Sequence, residues 1–132
     1  GTPNLPGIAG LNAAIDWIQE TGVKKIFEKE NELGKYFLER LKNFENLILT
    51  GKREMKDRLS VFSFNVKNFD NGILADELSL KGFETRPGLH CAPAAHKTLG
   101  TFPQGALRVS PGYFNNFEQI DNFIEAFRLI NS

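Results

Sequence analysis

Cysteine is nearly absent: Cys91 is the only one in 132 residues, which excludes an internal disulfide. A lone free thiol fits a reducing compartment, so a cytoplasmic location is the expectation. With two histidines beside that cysteine, no metal site is assigned. Charge of one sign is also missing. Sixteen basic residues balance sixteen acidic ones, so there is no electrostatic footprint for nucleic acid or an anionic membrane. The pairs Lys24-Lys25 and Lys52-Arg53 read as solvated faces. No apolar run approaches the roughly 20 residues a membrane-spanning helix needs, and there is no signal-peptide pattern. Internal repeats, low-complexity tracts and long linkers are absent too.

What remains is an ordinary globular composition of a length that supports one domain with a real core. Residues 1–132 are expected to form that single domain. Gly1 stands where an initiator methionine would, and Gly1-Thr2-Pro3-Asn4 reads as the start of a structural element. The expectation is a fragment cut at a domain boundary.

Apolar spacing predicts the elements. Ile8, Leu11, Ile15 and Ile18 recur at three and four residues and give a helix over 5–19 one apolar face. Thr2 or Asn4 can cap it, and Gly22 stops it. A second helix spans 23–43, with Val23, Ile26, Phe27, Phe37, Leu41 and Phe44 on its inner face. Strands are predicted over 47–50 and 60–66. The second alternates, with Val61 apart from Phe62, Phe64 and Val66, and reads as central with one face buried. A helix follows over 71–81, with Ile73, Leu74, Leu78 and Leu80 as its apolar members and Gly82 as its stop. Residues 83–85 are predicted as a short strand, 93–99 as a short helix and 106–110 as another strand. The last helix starts after Asn115 or Asn116 and reaches Ile130. Asn116 and Gln119 have the spacing of a capping box, and Ile120, Phe123, Ile124, Phe127 and Ile130 form the inner stripe.

This mixed order implies an α+β fold: a two-layer sandwich with a small, mostly antiparallel sheet and helices packed on one face. The twelve phenylalanines are expected to fill its core. A stacking platform for nucleic acid is the rival use of so many rings, but it lacks the basic groove.

The residues best suited to chemistry crowd into Thr85-Arg86-Pro87-Gly88-Leu89-His90-Cys91-Ala92-Pro93. Pro87, Gly88 and Pro93 keep this stretch from regular structure. Neighbouring positive charge favours the reactive thiolate, and loops on a rigid scaffold are common sites of chemistry. A lone cysteine is also commonly a small buried apolar residue. Both readings stand at this point.

The pattern Arg-x-Gly-x-His-Cys resembles the active-cysteine loop of cysteine desulfurases, pyridoxal-phosphate enzymes of the class V aminotransferase family. Three further segments share the resemblance. Gly1-Thr2-Pro3 looks like the family's Gly-Thr-Pro segment, and Ser63-Phe64-Asn65 like a mid-domain strand end. Leu107-Arg108-Val109-Ser110, followed by Tyr113-Phe114-Asn115, looks like the family's Arg-x-Ser strand and the turn into its last helix. The likeness runs along essentially the whole chain.

The resemblance implies the small domain of a fold-type I pyridoxal-phosphate enzyme, with the large domain missing. It implies pyridoxal 5'-phosphate in the intact enzyme and L-cysteine as substrate. Cys91 would be the nucleophile that takes sulfur as a persulfide and releases alanine. Arg108 would bind the substrate carboxylate, with a fork of donors suited to a planar anion; a surface ion pair is its bland alternative. Arg86 would assist it, and His90 would support the thiol. Thr2 would reach the cofactor phosphate of a partner subunit, making the intact enzyme a homodimer; simple helix capping is the alternative there. A sulfur-acceptor protein is a further implied partner. His96-Lys97 looks like the family's Schiff-base pair but follows the cysteine loop, so Lys97 reads as a surface lysine and no covalent cofactor anchor is expected here. Rival readings are a class V aminotransferase or selenocysteine lyase relative, and a persulfide carrier or interaction module without cofactor.

Overall fold

The computed structural model describes residues 1–131. Two helices come first, α1 (Leu5–Thr21) and α2 (Val23–Leu41). Strands β1 (Leu47–Thr50) and β2 (Phe62–Val66) follow, then helices α3 (Asn71–Leu80) and α4 (Pro93–Thr98). Strand β3 (Leu107–Val109) and helix α5 (Phe117–Ile130) close the chain. The sheet has the order β1-β2-β3, and both pairings are antiparallel. This is the α+β architecture that the element order implies.

The centre of the sheet follows from strict alternation. Phe62, Phe64 and Val66 are buried while Ser63 and Asn65 are only partly so. Phe62 pairs with Val109 and Phe64 with Leu107, so one face of β2 and β3 is a continuous apolar surface. The helices supply the other half of the core: Leu33, Phe37 and Leu41 from α2, Leu74 and Leu78 from α3, and Ile120, Phe123, Ile124 and Phe127 from α5. Aromatic rings lock these layers together. Phe37 meets Phe62 with centroids 5.0 Å apart, and Phe64 meets Phe127 edge-on at 5.7 Å. On the surface, the Tyr36 hydroxyl on α2 donates to Asp121 on α5 at 2.8 and 2.9 Å. Arg40 donates to that same hydroxyl and pairs with Asp121. The Tyr36 bond, above all, holds the Arg40 guanidinium above its usual pKa.

Helix ends behave as their sequences dictate. Asn116 Oδ1 accepts from Gln119 N–H at 2.8 Å, and the Gln119 side chain accepts in return from Asn116 N–H at 3.2 Å, a complete capping box. Gly22 ends α1 at φ +86°, a backbone that favours glycine.

Four expectations need correction. The segment 83–85 is not a strand. Phe83 N–H is taken by Leu78 O at the end of α3. The added edge pairing lies at Arg86 and Gly88, which exchange backbone bonds of 2.8 to 3.1 Å with Arg108 and Ala106. Pro87 falls between the two pairing residues, where a missing N–H costs no ladder bond. The inner face expected for the start of α2 is also wrong: Val23 and Phe27 are exposed, and the buried residues of this helix run from Leu33 to Leu41. On α3, only Leu74 and Leu78 are buried; Ile73 and Leu80 face outwards. Finally, the phenylalanines are not all core. Phe27, Phe102, Phe114 and Phe117 are exposed.

Candidate functional site

The strand pairing sets the first two side chains. Arg108 alternates with Leu107 and Val109, so it leaves the sheet on the face away from Phe62 and Phe64. Arg86 is its partner in a hydrogen-bonded antiparallel pair: Arg86 N–H donates to Arg108 O at 3.1 Å, and Arg108 N–H to Arg86 O at 2.8 Å. Residues paired this way project from the same face. Among the described residues no carboxylate pairs with either guanidinium. Like charges directly opposite one another destabilise a sheet, so the pair presents two unneutralised forks suited to an anion.

Cys91 follows Arg86 by five residues. It is exposed, which sets aside the buried-apolar reading of a lone cysteine. It sits on a turn before α4, with His90 at φ 52° and Cys91 at φ 59°. Two consecutive non-glycine residues in the left-handed region cost about 1 kcal/mol or more each. The turn is closed locally by Ala92 N–H donating to Leu89 O at 2.8 Å. His90 Nε2 lies 2.8 Å from Arg86 O. A carbonyl only accepts, so Nε2 carries a proton in this contact.

The loop beneath the turn is tightly tied. Gly105 has φ +77°, and a Cβ there would fall 2.2 Å from the Gly88 backbone. Only glycine permits that approach. Asn65 Nδ2 donates to Gly105 O at 3.1 Å, and Asn71 Nδ2 donates to Asn65 Oδ1 at 3.1 Å. The Phe-Asn strand end thereby braces the loop. Sequence reasoning missed Gly105 and His96. Gly105 carries no local signal, because its constraint is a backbone contact with a residue seventeen positions earlier. His96, buried on α4, bonds Thr101 through Nδ1 at 2.7 Å. It lay in plain view within the His-Lys pair, but the reading weighed only the lysine.

The remaining candidates lie apart. Thr2 is exposed ahead of α1, and Asn4 is the cap, its Oδ1 accepting from Gly7 N–H at 3.1 Å. The Thr2 hydroxyl is therefore not used for capping. Lys97 is exposed on α4 with Nζ 5.2 Å above the Phe102 ring. A cavity of about 330 Å³ lies against Phe37, Thr85, Val109 and Phe123, so it borders the apolar face of the sheet rather than the arginine face. No cluster of residues that could hold a metal occurs among the described residues. No described helix is long and apolar enough to cross a membrane.

The aminotransferase class-V family model matches residues 1–123. A probable cysteine desulfurase of Xylella fastidiosa is 33% identical over 126 residues, covering 96% of this chain and 29% of that protein. A cysteine desulfurase of Salmonella agona is 33% identical over 131 residues, 99% of this chain and 31% of that one. Among solved structures, an apo cysteine desulfurase from Thermococcus onnurineus superposes with a TM-score of 0.90 at 32% identity, over 98% of this chain and 32% of that one. A cysteine desulfurase from Escherichia coli shares the fold, with a TM-score of 0.86 at 23% identity over 98% of this chain and 31% of that one. The chain spans about three tenths of the length of the curated relatives it matches.

Proposed function

This chain belongs to the class-V aminotransferase family, and from that premise we propose that it is the C-terminal small domain of a pyridoxal-phosphate-dependent cysteine desulfurase. The observation that carries the reading is the unneutralised pair Arg86 and Arg108, raised on one sheet face beside a turn that exposes the only thiol. A cysteine substrate brings one carboxylate and one sulfur, and this surface offers a partner for each.

The donor set fits that role. Arg108 holds the substrate carboxylate through its two-pronged fork, and Arg86 supports it. Cys91 Sγ bonds to the substrate sulfur as the carbon–sulfur bond breaks, leaving a persulfide on the protein and alanine as product. Nδ1 of His90 accepts the thiol proton. Pyridoxal phosphate, when bound, supplies the electron sink for the cleavage. The Thr2 hydroxyl, free of capping, serves the cofactor phosphate in a homodimer. The covalent anchor of the cofactor is assigned to a large domain outside these 132 residues, and Lys97 is an exposed lysine over the Phe102 ring. An exposed persulfide suits transfer to an acceptor protein, and a free thiol suits a reducing cytoplasm.

The test is made in the enzyme that carries this domain. Cys91→Ser is expected to abolish sulfide release from cysteine while the visible spectrum of the cofactor persists. Near-normal release under reducing conditions would return Cys91 to a structural role.

A further inference from the structure

The Cys91 turn holds a conformation that its own residues disfavour. Such conformations persist where the surroundings over-determine them. The backbone pairing of Gly88 with Ala106 is one hold. A second comes from His96, the one buried ionisable side chain among the described residues, at 6% exposure. Its Nδ1 meets Thr101 Oγ1 at 2.7 Å. Its carbonyl accepts the N–H groups of Thr101 and Phe102 at 2.9 and 3.1 Å. Its ring centroid lies 5.7 Å from that of His90, the ring tied to Arg86 O. A buried imidazole therefore bears on both sides of the turn: on the segment leading to Arg108 through Thr101, and on the residue before Cys91 through His90.

We propose that His96 is a positioning residue for Cys91, and that its bond to Thr101 holds residues 90 and 91 left-handed so that the thiol is presented in one pose. Among the described residues His96 forms no hydrogen bond to the thiol or the arginines; it acts through Thr101 and His90. The significance of the pose rests on the reading of Cys91 as the sulfur acceptor, but the hold itself is a property of this chain.

Solution NMR of the isotopically labelled chain tests the hold without cofactor or substrate. A left-handed residue brings its own amide and Hα protons close, so Cys91 should give a strong intraresidue NOE between them. His96→Ala and Thr101→Val are expected to lose that signal, because the flank relaxes and residues 90 and 91 move to the conformations non-glycine residues prefer. Thr101→Ser, which keeps the hydroxyl, is expected to retain it. Amide exchange in α5 should be unchanged throughout. Retention of the signal in either His96→Ala or Thr101→Val overturns the proposal. So does equal loss in Thr101→Ser and Thr101→Val, or a fall in α5 protection alongside the loss. Should His96→Ala fail to fold, the Thr101 pair decides alone. Sulfide release by the Cys91→Ser enzyme tests the persulfide reading separately, so failure of one is not mistaken for failure of the other.

Discussion

Helices α1 and α5 carry the same kind of apolar stripe and meet opposite fates. On α5, Ile120, Phe123, Ile124 and Phe127 are buried against the sheet and α2. On α1, no residue is buried; Leu5, Ile8, Leu11, Ile15 and Ile18 all remain exposed. Periodicity alone does not separate the two helices, because it specifies a face and not its cover. The cover is tertiary. Phe64, Phe37 and Phe44 stand within ring contact of α5, whereas α1 rests on α2 and meets the rings of residues 113 and 114 through Trp17. Most helical stability in proteins comes from such packing, so the two helices should contribute very unequally to folding.

The sharpest way to break this comparison is to cut the same kind of side chain from each helix. Phe127 is fully buried, with rings of Phe44, Phe64 and Phe123 around it. Phe127→Ala should cost about 3–5 kcal/mol, read as a lower urea midpoint, because transfer and cavity penalties add. Ile15→Ala on α1 should cost less than about 0.5 kcal/mol beyond experimental scatter, as at other surface positions. Equal losses would mean that α1 belongs to the cooperative core after all.

The caps offer a gentler probe. Asn116→Ala removes a complete capping box from a helix the core depends on. It should destabilise the whole chain by about 1 kcal/mol, visible as a midpoint shift of both the sheet and α5. A shift confined to the first turn of α5 would show that this helix, too, can fray independently.

The legible parts of the fold were those governed by neighbours in sequence. The alternation around Phe64, the stripe on α5, the Asn116 box and the Gly22 stop each depend on a few adjacent residues, and each formed as expected. What failed depended on distant ones. Residues 83–85 have strand-like chemistry, but α3 uses the Phe83 N–H and the pairing slides to Arg86. Val23 and Phe27 fit the α2 stripe, but both stay exposed, and burial on this helix begins only at Leu33. In the candidate site, the type of each residue could be read directly, and the family pattern drew Arg86, Cys91 and Arg108 together. Their geometry could not be read that way: the shared face of the arginines follows from a register, and the tie between Gly105 and Gly88 from a backbone approach of 2.2 Å to an imagined Cβ. His96 was hidden by its pairing with a more conspicuous lysine.

Loss of the cap of α1 should leave the core unmoved, and it sharpens the comparison furthest. Asn4 Oδ1 satisfies the Gly7 N–H, so Asn4→Ala should weaken the start of α1 by about 1 kcal/mol locally. That loss reaches the global midpoint only if α1 unfolds with the core. Trp17, the only tryptophan in the chain, sits 5.3 Å from the Tyr113 ring and 5.2 Å from the Phe114 ring, and so reports the docking of α1 by fluorescence. Amide exchange in β2 reports the core. In the wild-type chain the Trp17 transition should occur at lower urea than the opening of β2, since a helix with no buried residue is drawn from the low-stability end of a structure. Asn4→Ala should move the Trp17 transition lower still and leave β2 where it was. If the two transitions coincide in both proteins and move together, α1 is coupled to the sheet through contacts stronger than its exposure implies, and its difference from α5 is one of burial but not of stability.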